Sequence, residues 1–154
     1  MNRIYTLCLS FALAVIILFS GGVAFASKLP ELGTYVSEDN NFTIQITDKD
    51  SSIGRITAVY TTTYSPVGAF SKSGNIGNFG WVTNQEKGRC CDTAPFSISF
   101  TLQERPSGWP YAIRDTWAGA YLDGNKLQMG GVRSYVNKEG VVEVSSLGTL
   151  TFYK

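Results

Sequence analysis

Two carboxylates of this chain are the residues that could take part in acid–base chemistry. The chain has 154 residues and no histidine, so a catalytic nucleophile would need a lysine or a carboxylate as its base. Asp115 and Glu104 could form the carboxylate pair that glycosidases use, but a solvated surface position is the better interpretation of Glu104. We therefore expect no catalytic residues, and the enzyme hypothesis is the weaker one.

Cys90 and Cys91 are the other reactive side chains, and they are adjacent in "EKGRCCDTAP". In an exported protein they could be oxidised, either to each other through a strained bond or between subunits. Without histidine or further cysteines beside them, a metal site is improbable. We predict that they lie in a polar loop away from any ligand pocket.

The stretch "DTWAGAYLDGNKL", from Asp115 to Leu127, suggests a binding wall. Gly119 within a strand pattern indicates a bend or a close backbone approach. Asp123-Gly124, flanked by apolar runs, predicts a two-residue hairpin turn. These features leave room for a ligand beside Trp117.

Residues 1–26 have the pattern of a secretory signal. A short positive start is followed by the apolar run "LCLSFALAVIILF" and by the small-residue cleavage site "AFA". An uncleaved membrane anchor is the competing interpretation. Cleavage after Ala26 would remove Arg3 and leave twelve basic and twelve acidic residues. This balance gives no electrostatic argument for binding nucleic acid or an acidic membrane, and we expect a secreted or periplasmic protein.

Residues 27–154 form one predicted domain whose apolar residues alternate with a period of two. About eight strand patterns are separated by turn-rich segments: "GTYVSE", "NFTIQIT", "IGRITAVYTT", "NIGNFGWVT", "FSISFTLQ", "YAIRDTWAGAYL", "KLQMGGVRSY" and "LGTLTFY". Antiparallel strands at this spacing indicate an up-and-down barrel or a sandwich. Most of the nine Phe, eight Tyr and three Trp residues should form the core, while some could line a pocket.

The order of these segments resembles the avidin and streptavidin family. "DTWAGAYL" matches the family's sixth strand, T-T-W-S-G-Q-Y. "GTYVSEDNNFTIQI", "GRITAVYTT", "PFSISFTL" and "LGTLTFYK" are similar to its first two, third, fifth and closing strands. The resemblance implies an all-β, eight-stranded antiparallel up-and-down β-barrel. It also implies a dimer or tetramer that holds biotin as a ligand in the open end, with no cofactor.

The resemblance implies four polar contacts with a biotin urea group. Tyr60 matches the tyrosine that donates to the urea oxygen, and Thr62 matches the hydroxyl that accepts a urea N–H. Ser37 and Asn40 stand at or near the family's asparagine and serine donors. These two exchange residue types but keep hydrogen-bonding capacity.

The walls of the pocket match the family only in part. Trp117 and Phe96 correspond to wall tryptophans, but Gly131 stands where the family has a third. Leu150 replaces the aspartate that accepts the second urea N–H. Asp115 lies where the family hydroxyls hold the ligand carboxylate, and it would repel that group unless a cation intervened. An unpaired buried polar group costs about 1–3 kcal/mol, so we expect weakened biotin binding.

Two hypotheses for function remain open. The first is an exported avidin-like protein that binds biotin or a related small molecule. The second is a barrel of the same fold whose pocket has diverged to an unrelated ligand, or that acts as an interaction protein. In both cases we expect a homo-oligomer, no catalytic or metal-binding residues, no nucleic-acid partner, and no membrane partner after the signal is cleaved.

Overall fold

The part of the chain that the structure describes forms eight β-strands. The computed structural model describes residues 30–66, 68–80, 96–122, 125–137 and 139–154, apart from the side chain of Phe96. The strands are β1 (Gly33–Ser37), β2 (Phe42–Asp50), β3 (Arg55–Thr62), β4 (Phe70–Gly80), β5 (Phe96–Glu104), β6 (Ile113–Leu122), β7 (Lys126–Val136) and β8 (Val142–Tyr153). Within the described ranges, no helix is long and apolar enough to cross a membrane.

The strands form one closed barrel in sequence order. Each strand pairs antiparallel with the next. β1 also pairs with β8, through Val36 opposite Tyr153 and Ser37 opposite Phe152. Each of the described strands therefore has a paired neighbour on both sides. The prediction of an all-β, eight-stranded antiparallel up-and-down barrel is confirmed.

Side-chain alternation places the apolar residues inside the barrel. In β2, Phe42, Ile44 and Ile46 are buried, while Gln45 and Thr47 are exposed. Successive side chains of a strand point to opposite faces of the sheet, so one face of each strand can be apolar and the other polar. The predicted inward face of "NFTIQIT" is confirmed.

Aromatic rings fill the middle of the barrel. Phe42 meets Trp117 edge-on at 4.9 Å between ring centroids, and Trp117 meets Phe152 edge-on at 5.3 Å. All three rings are 1 % exposed or less. Edge-to-face contacts of this kind add to the stabilisation that comes from burying the rings. The prediction that most aromatic residues belong to the core is confirmed for these rings.

Gly119 lies where two strands approach each other closely. A Cβ atom built on Gly119 would be 1.9 Å from the carbonyl oxygen of Gln128 on β7. No side chain fits at that distance, so β6 and β7 can take this path only with glycine at position 119. The predicted close backbone approach is confirmed.

The hairpin between β6 and β7 differs from the predicted two-residue turn. Leu122 pairs with Lys126, so three residues connect the two strands. The last of them, Asn125, has a φ of 63°. A three-residue hairpin connection commonly ends in a residue of this left-handed conformation. The Asp-Gly pair therefore marks the hairpin correctly but not the length of its loop.

Two strands begin earlier in the chain than the sequence patterns predict. β4 begins at Phe70 rather than at residue 75, because the Gly- and Ser-rich segment that resembled a turn pairs with β3. β8 begins at Val142 rather than at residue 147 and pairs with the end of β7. Val142 and Val144 are each 68 % exposed, so this part of β8 lacks the alternation of buried and exposed residues by which a strand is recognised.

Candidate functional site

One end of the barrel, which we call the mouth, collects four of the connections between strands. They are 38–41, 63–69, 105–112 and 137–141. Since neighbouring strands are antiparallel, every second connection lies at the same end. The late part of β3, the early part of β6 and the late part of β7 therefore approach the mouth together. Polar residues with inward-pointing side chains occur in all three segments.

A buried hydrogen-bonded network joins these three strands below the mouth. The Asp115 carboxylate on β6 accepts hydrogen bonds from Arg133 Nε at 2.7 Å and Arg133 Nη2 at 2.6 Å. It also accepts one from the Tyr60 hydroxyl at 2.7 Å. Trp117 Nε1 donates a longer bond, of 3.4 Å, to the Tyr60 hydroxyl. Asp115 and Tyr60 are 0 % exposed and Arg133 is 2 % exposed, so the network is shielded from water.

Arg133 also connects the network to the loop between β3 and β4. Its Nη1 atom donates to the backbone carbonyl oxygen of Tyr64. The guanidinium lies 5.9 Å from the ring centroid of Tyr64 and 5.8 Å from that of Phe70. These distances fall within the range of cation–π attraction. Arg133 thus holds the loop against the barrel through one hydrogen bond and a ring contact.

The ion pair of Asp115 and Arg133 sets the charge state of the interior. Burial alone would lower the pKa of the Arg133 guanidinium, but the hydrogen bonds and attraction of Asp115 hold that pKa above its ordinary value. Burial and the nearby Asp115 carboxylate raise the pKa of the Tyr60 hydroxyl. The Tyr60 hydroxyl therefore stays protonated at neutral pH and serves as a hydrogen-bond donor to the carboxylate that is paired with Arg133.

Trp117 occupies space that a side chain from β7 would otherwise fill. A Cβ atom built on Gly131 would lie 2.5 Å from the Cζ3 atom of Trp117. Gly131 pairs directly with Trp117 across β6 and β7. The absence of a side chain at 131 therefore does not open a gap in the wall, because the indole ring of Trp117 covers the glycine.

The predicted polar contacts of a urea group are already engaged within the protein. The Thr62 hydroxyl donates to the Tyr64 carbonyl oxygen and accepts from the Tyr64 N–H, both at 3.1 Å. The buried Ser37 hydroxyl donates to Asp39 at 2.6 Å and accepts from the Phe42 N–H at 3.0 Å. Together with the bond from Tyr60 to Asp115, these contacts organise the mouth end of the barrel.

The remaining predicted site residues lie apart from this cluster or outside the described residues. Asn40 is exposed in the turn after β1, where its φ is 59°. Phe96 begins β5 and pairs with Tyr121, and its side chain is outside the described part of the chain. Cys90, Cys91 and the predicted signal at 1–26 are also outside it. Their predicted roles therefore stay predictions.

The two carboxylates considered for acid–base chemistry have separate partners. Glu104, at the end of β5, forms an ion pair with Lys72 at 3.0 Å, and both side chains are partly exposed. Asp115 is paired with Arg133 in the interior. The cation that would relieve repulsion between Asp115 and a ligand carboxylate is therefore present.

A half-open cavity of about 370 Å³ lies at the mouth above the network. Tyr64 is 59 % exposed there. On the opposite side Tyr135 packs against Trp109, with 5.9 Å between ring centroids. The described residues that line the cavity are Tyr64, Ser65, Pro66, Arg133, Tyr135 and Ser145. Its volume is within the range of about 300–1,000 Å³ that is typical of small-ligand pockets.

Sequence reasoning missed Arg133, Tyr64 and Tyr135. The available signal for Arg133 was its register: it pairs directly with Asp115 across β6 and β7, and paired residues of neighbouring strands share a face. A two-residue turn would shift that register by one residue and move Arg133 to the outer face. Tyr64 lies in a loop, so alternation gives no information about it.

Comparisons with protein-family models, with curated proteins and with solved structures found no match to this chain.

Proposed function

We propose that this protein is an exported, avidin-like small-molecule binding protein whose ligand enters the barrel at its mouth. The observation that carries the proposal is the cavity of about 370 Å³ between Tyr64 and Tyr135, with Arg133 as its polar floor. Apolar and aromatic walls around a few fixed polar groups are typical of small-ligand sites. The mouths of β-barrels are among the places where such sites occur.

The interior below Arg133 is a less favourable place for a ligand. The rings of Trp117, Phe42 and Phe152 pack against one another there. A deep ligand would have to displace them and open the bond between Tyr60 and Asp115. Breaking a buried hydrogen bond without replacing it costs about 1–3 kcal/mol, which corresponds to about 5- to 150-fold in affinity. These contacts support the hypothesis of a diverged pocket over deep binding of biotin.

Biotin is the second candidate ligand, and one observation favours it. Arg133 neutralises Asp115 through two hydrogen bonds, so the carboxylate does not oppose an acidic ligand. Tyr60 and Trp117, which match biotin contacts in the avidin resemblance, are also neighbours in the interior. If biotin reaches them, Tyr60 must exchange its bond with Asp115 for one with the ligand, and the affinity is correspondingly weak.

The experiment that tests the proposal uses N-phenyl-1-naphthylamine, a neutral probe whose fluorescence rises in apolar sites. We expect saturable binding of the probe to the protein. Tyr64→Ala should weaken it at least about tenfold, or about 1.4 kcal/mol, because a wall of the cavity is lost. Tyr153→Ala is the matched control, since Tyr153 is also exposed, at 46 %, but lies eight residues beyond the cavity-lining Ser145 along β8, about 26 Å at about 3.3 Å per residue.

The outcomes separate the alternatives. Absence of saturable binding, or an equal loss in both variants, contradicts a mouth site. Calorimetry with biotin adds the second comparison. Biotin binding that is abolished by Tyr60→Phe and unaffected by Tyr64→Ala indicates the deep site, whereas the reverse pattern indicates the mouth.

A further inference from the structure

The walls of the mouth cavity suit a flat, partly apolar ring. Tyr64 has one side near the Arg133 guanidinium, and its ring is more than half exposed at 59 %. Tyr135 is held from behind by Trp109, with the two ring planes tilted by 51°. Aromatic rings that are fixed in this way present a ready apolar surface at low entropic cost.

The described charges around the cavity give a ligand anion no advantage. Among the described residues that line it, Arg133 is the only charged one, and Asp115 neutralises Arg133 at 2.6 Å. Glu143, at the rim, receives hydrogen bonds from the Tyr135 hydroxyl at 2.6 Å and from Asn137 Nδ2 at 2.7 Å. A ligand anion would meet the Glu143 carboxylate, while the paired and buried Arg133 offers it little compensating attraction. An uncharged ligand avoids this repulsion.

The rim also provides hydrogen-bonding groups for hydroxyls. The hydrogen bonds from Tyr135 and Asn137 hold the pKa of Glu143 below its ordinary value, so its carboxylate is an acceptor at neutral pH. Each carboxylate oxygen can accept more than the one bond it receives here. The Tyr135 hydroxyl can accept, and the nearby Ser145 hydroxyl can both donate and accept.

We propose that the mouth cavity binds an uncharged saccharide, with a sugar ring against Tyr64 and Tyr135 and its hydroxyls on the Glu143 and Ser145 side. A pyranose has an apolar C–H face and a polar edge, which matches these two kinds of surface. This inference rests on the proposed function, because it names the ligand class of the same site. It does not depend on the network formed by Tyr60 and Trp117.

The experiment measures competition with the neutral naphthylamine probe and direct calorimetric binding. Cellotriose, maltotriose and chitotriose serve as neutral saccharides, and we expect at least one to bind with a Kd on the order of 1 mM or tighter. Tyr64→Ala should weaken that binding at least tenfold, whereas Tyr153→Ala should not change it. Glu143→Gln keeps the shape of the rim and should weaken saccharide binding severalfold, while the probe, which has no hydroxyls, should bind as before.

Charge selectivity is tested on one ring with three charges. Methyl β-glucoside, methyl β-glucuronide and methyl β-glucosaminide are neutral, anionic and cationic, respectively. We expect the neutral ring to bind several times more tightly than the glucuronide and at least as tightly as the glucosaminide. Tighter binding of the glucuronide or of the glucosaminide overturns the inference in favour of an anion or a cation site. If the probe binds and responds to Tyr64→Ala but no saccharide binds, the saccharide inference fails and the proposed function stands; if neither binds, both fail.

Discussion

Removal of the Arg133 side-chain charge is the perturbation with the largest expected effect on folding. Arg133→Met keeps an apolar side chain of similar reach but leaves the Asp115 carboxylate buried without its cation. Asp115 is 0 % exposed and loses two hydrogen bonds, of 2.6 and 2.7 Å. Breaking a buried ion pair by removing one partner typically costs about 3–5 kcal/mol.

This loss should be easy to measure by thermal and denaturant unfolding. For a domain of this size, 1 kcal/mol lowers the melting temperature by about 4 °C. Arg133→Met should therefore lower it by about 10–20 °C. The control is Lys72→Met, which breaks the partly exposed ion pair with Glu104. Surface pairs contribute about 0–1 kcal/mol, so the control should shift the melting temperature by only a few degrees.

The double variant Asp115→Leu/Arg133→Met tests the reason for the cost. If the penalty comes from an unpaired buried charge, removal of both partners should restore much of the stability that Arg133→Met loses. Recovery should be incomplete because the Tyr60 hydroxyl loses its acceptor, at about 1–3 kcal/mol. A single variant that is as stable as Lys72→Met, or a double variant no more stable than Arg133→Met, would refute the reasoning.

Two further predictions concern the interior of the barrel. Gly131→Ala should lower the free energy of unfolding by about 1–3 kcal/mol through overpacking, because its Cβ would lie 2.5 Å from the Trp117 ring. Gly130→Ala should cost less in the same chemical-denaturation experiment, since the nearest atom to its Cβ is 3.8 Å away; equal losses would contradict this. The pKa of Tyr60 is raised in the folded protein, so its hydroxyl stays protonated above pH 10, where an unfolded tyrosine ionises. The stability that Tyr60 contributes through this difference in pKa is fully present below pH 10 and is lost as the pH rises. Stability measured from pH 8 to pH 11 should fall less steeply in Tyr60→Phe than in the wild type, whereas Tyr153→Phe, at an exposed position, should leave the slope unchanged.

The fold was predictable because most strands obey one simple periodicity. In β2 from Phe42 to Thr47, and in the early part of β6, buried residues alternate with exposed or half-buried ones. The predicted start of β4 was wrong because the residue types there are typical of a turn and hide the strand. Residues 71–74 contain Ser, Lys and Gly, and their local preference for a turn is outweighed by pairing with β3, as with Ser71 opposite Thr61.

The site was predictable only in part, because its central pair depends on register. The resemblance to the avidin family singled out Tyr60, Asp115 and Trp117, and the structure brings these three together in one network. Arg133 could be found only by knowing the residue opposite Asp115, and that depends on the length of the hairpin loop that follows β6. With the observed loop of three residues, Arg133 lies opposite Asp115 in the interior. With a loop of two residues, Val132 would take that place.

The same register links the stability of the barrel to the shape of its mouth. Arg133 satisfies Asp115 on one side and holds the Tyr64 carbonyl on the other. The backbone of Tyr64 is bound again by the Thr62 hydroxyl. The aromatic wall of the cavity is thus fixed by groups that are themselves buried and paired. A site with walls positioned before the ligand arrives loses less entropy on binding, so under the proposed function the buried ion pair would favour binding at the mouth through the wall that it holds in place.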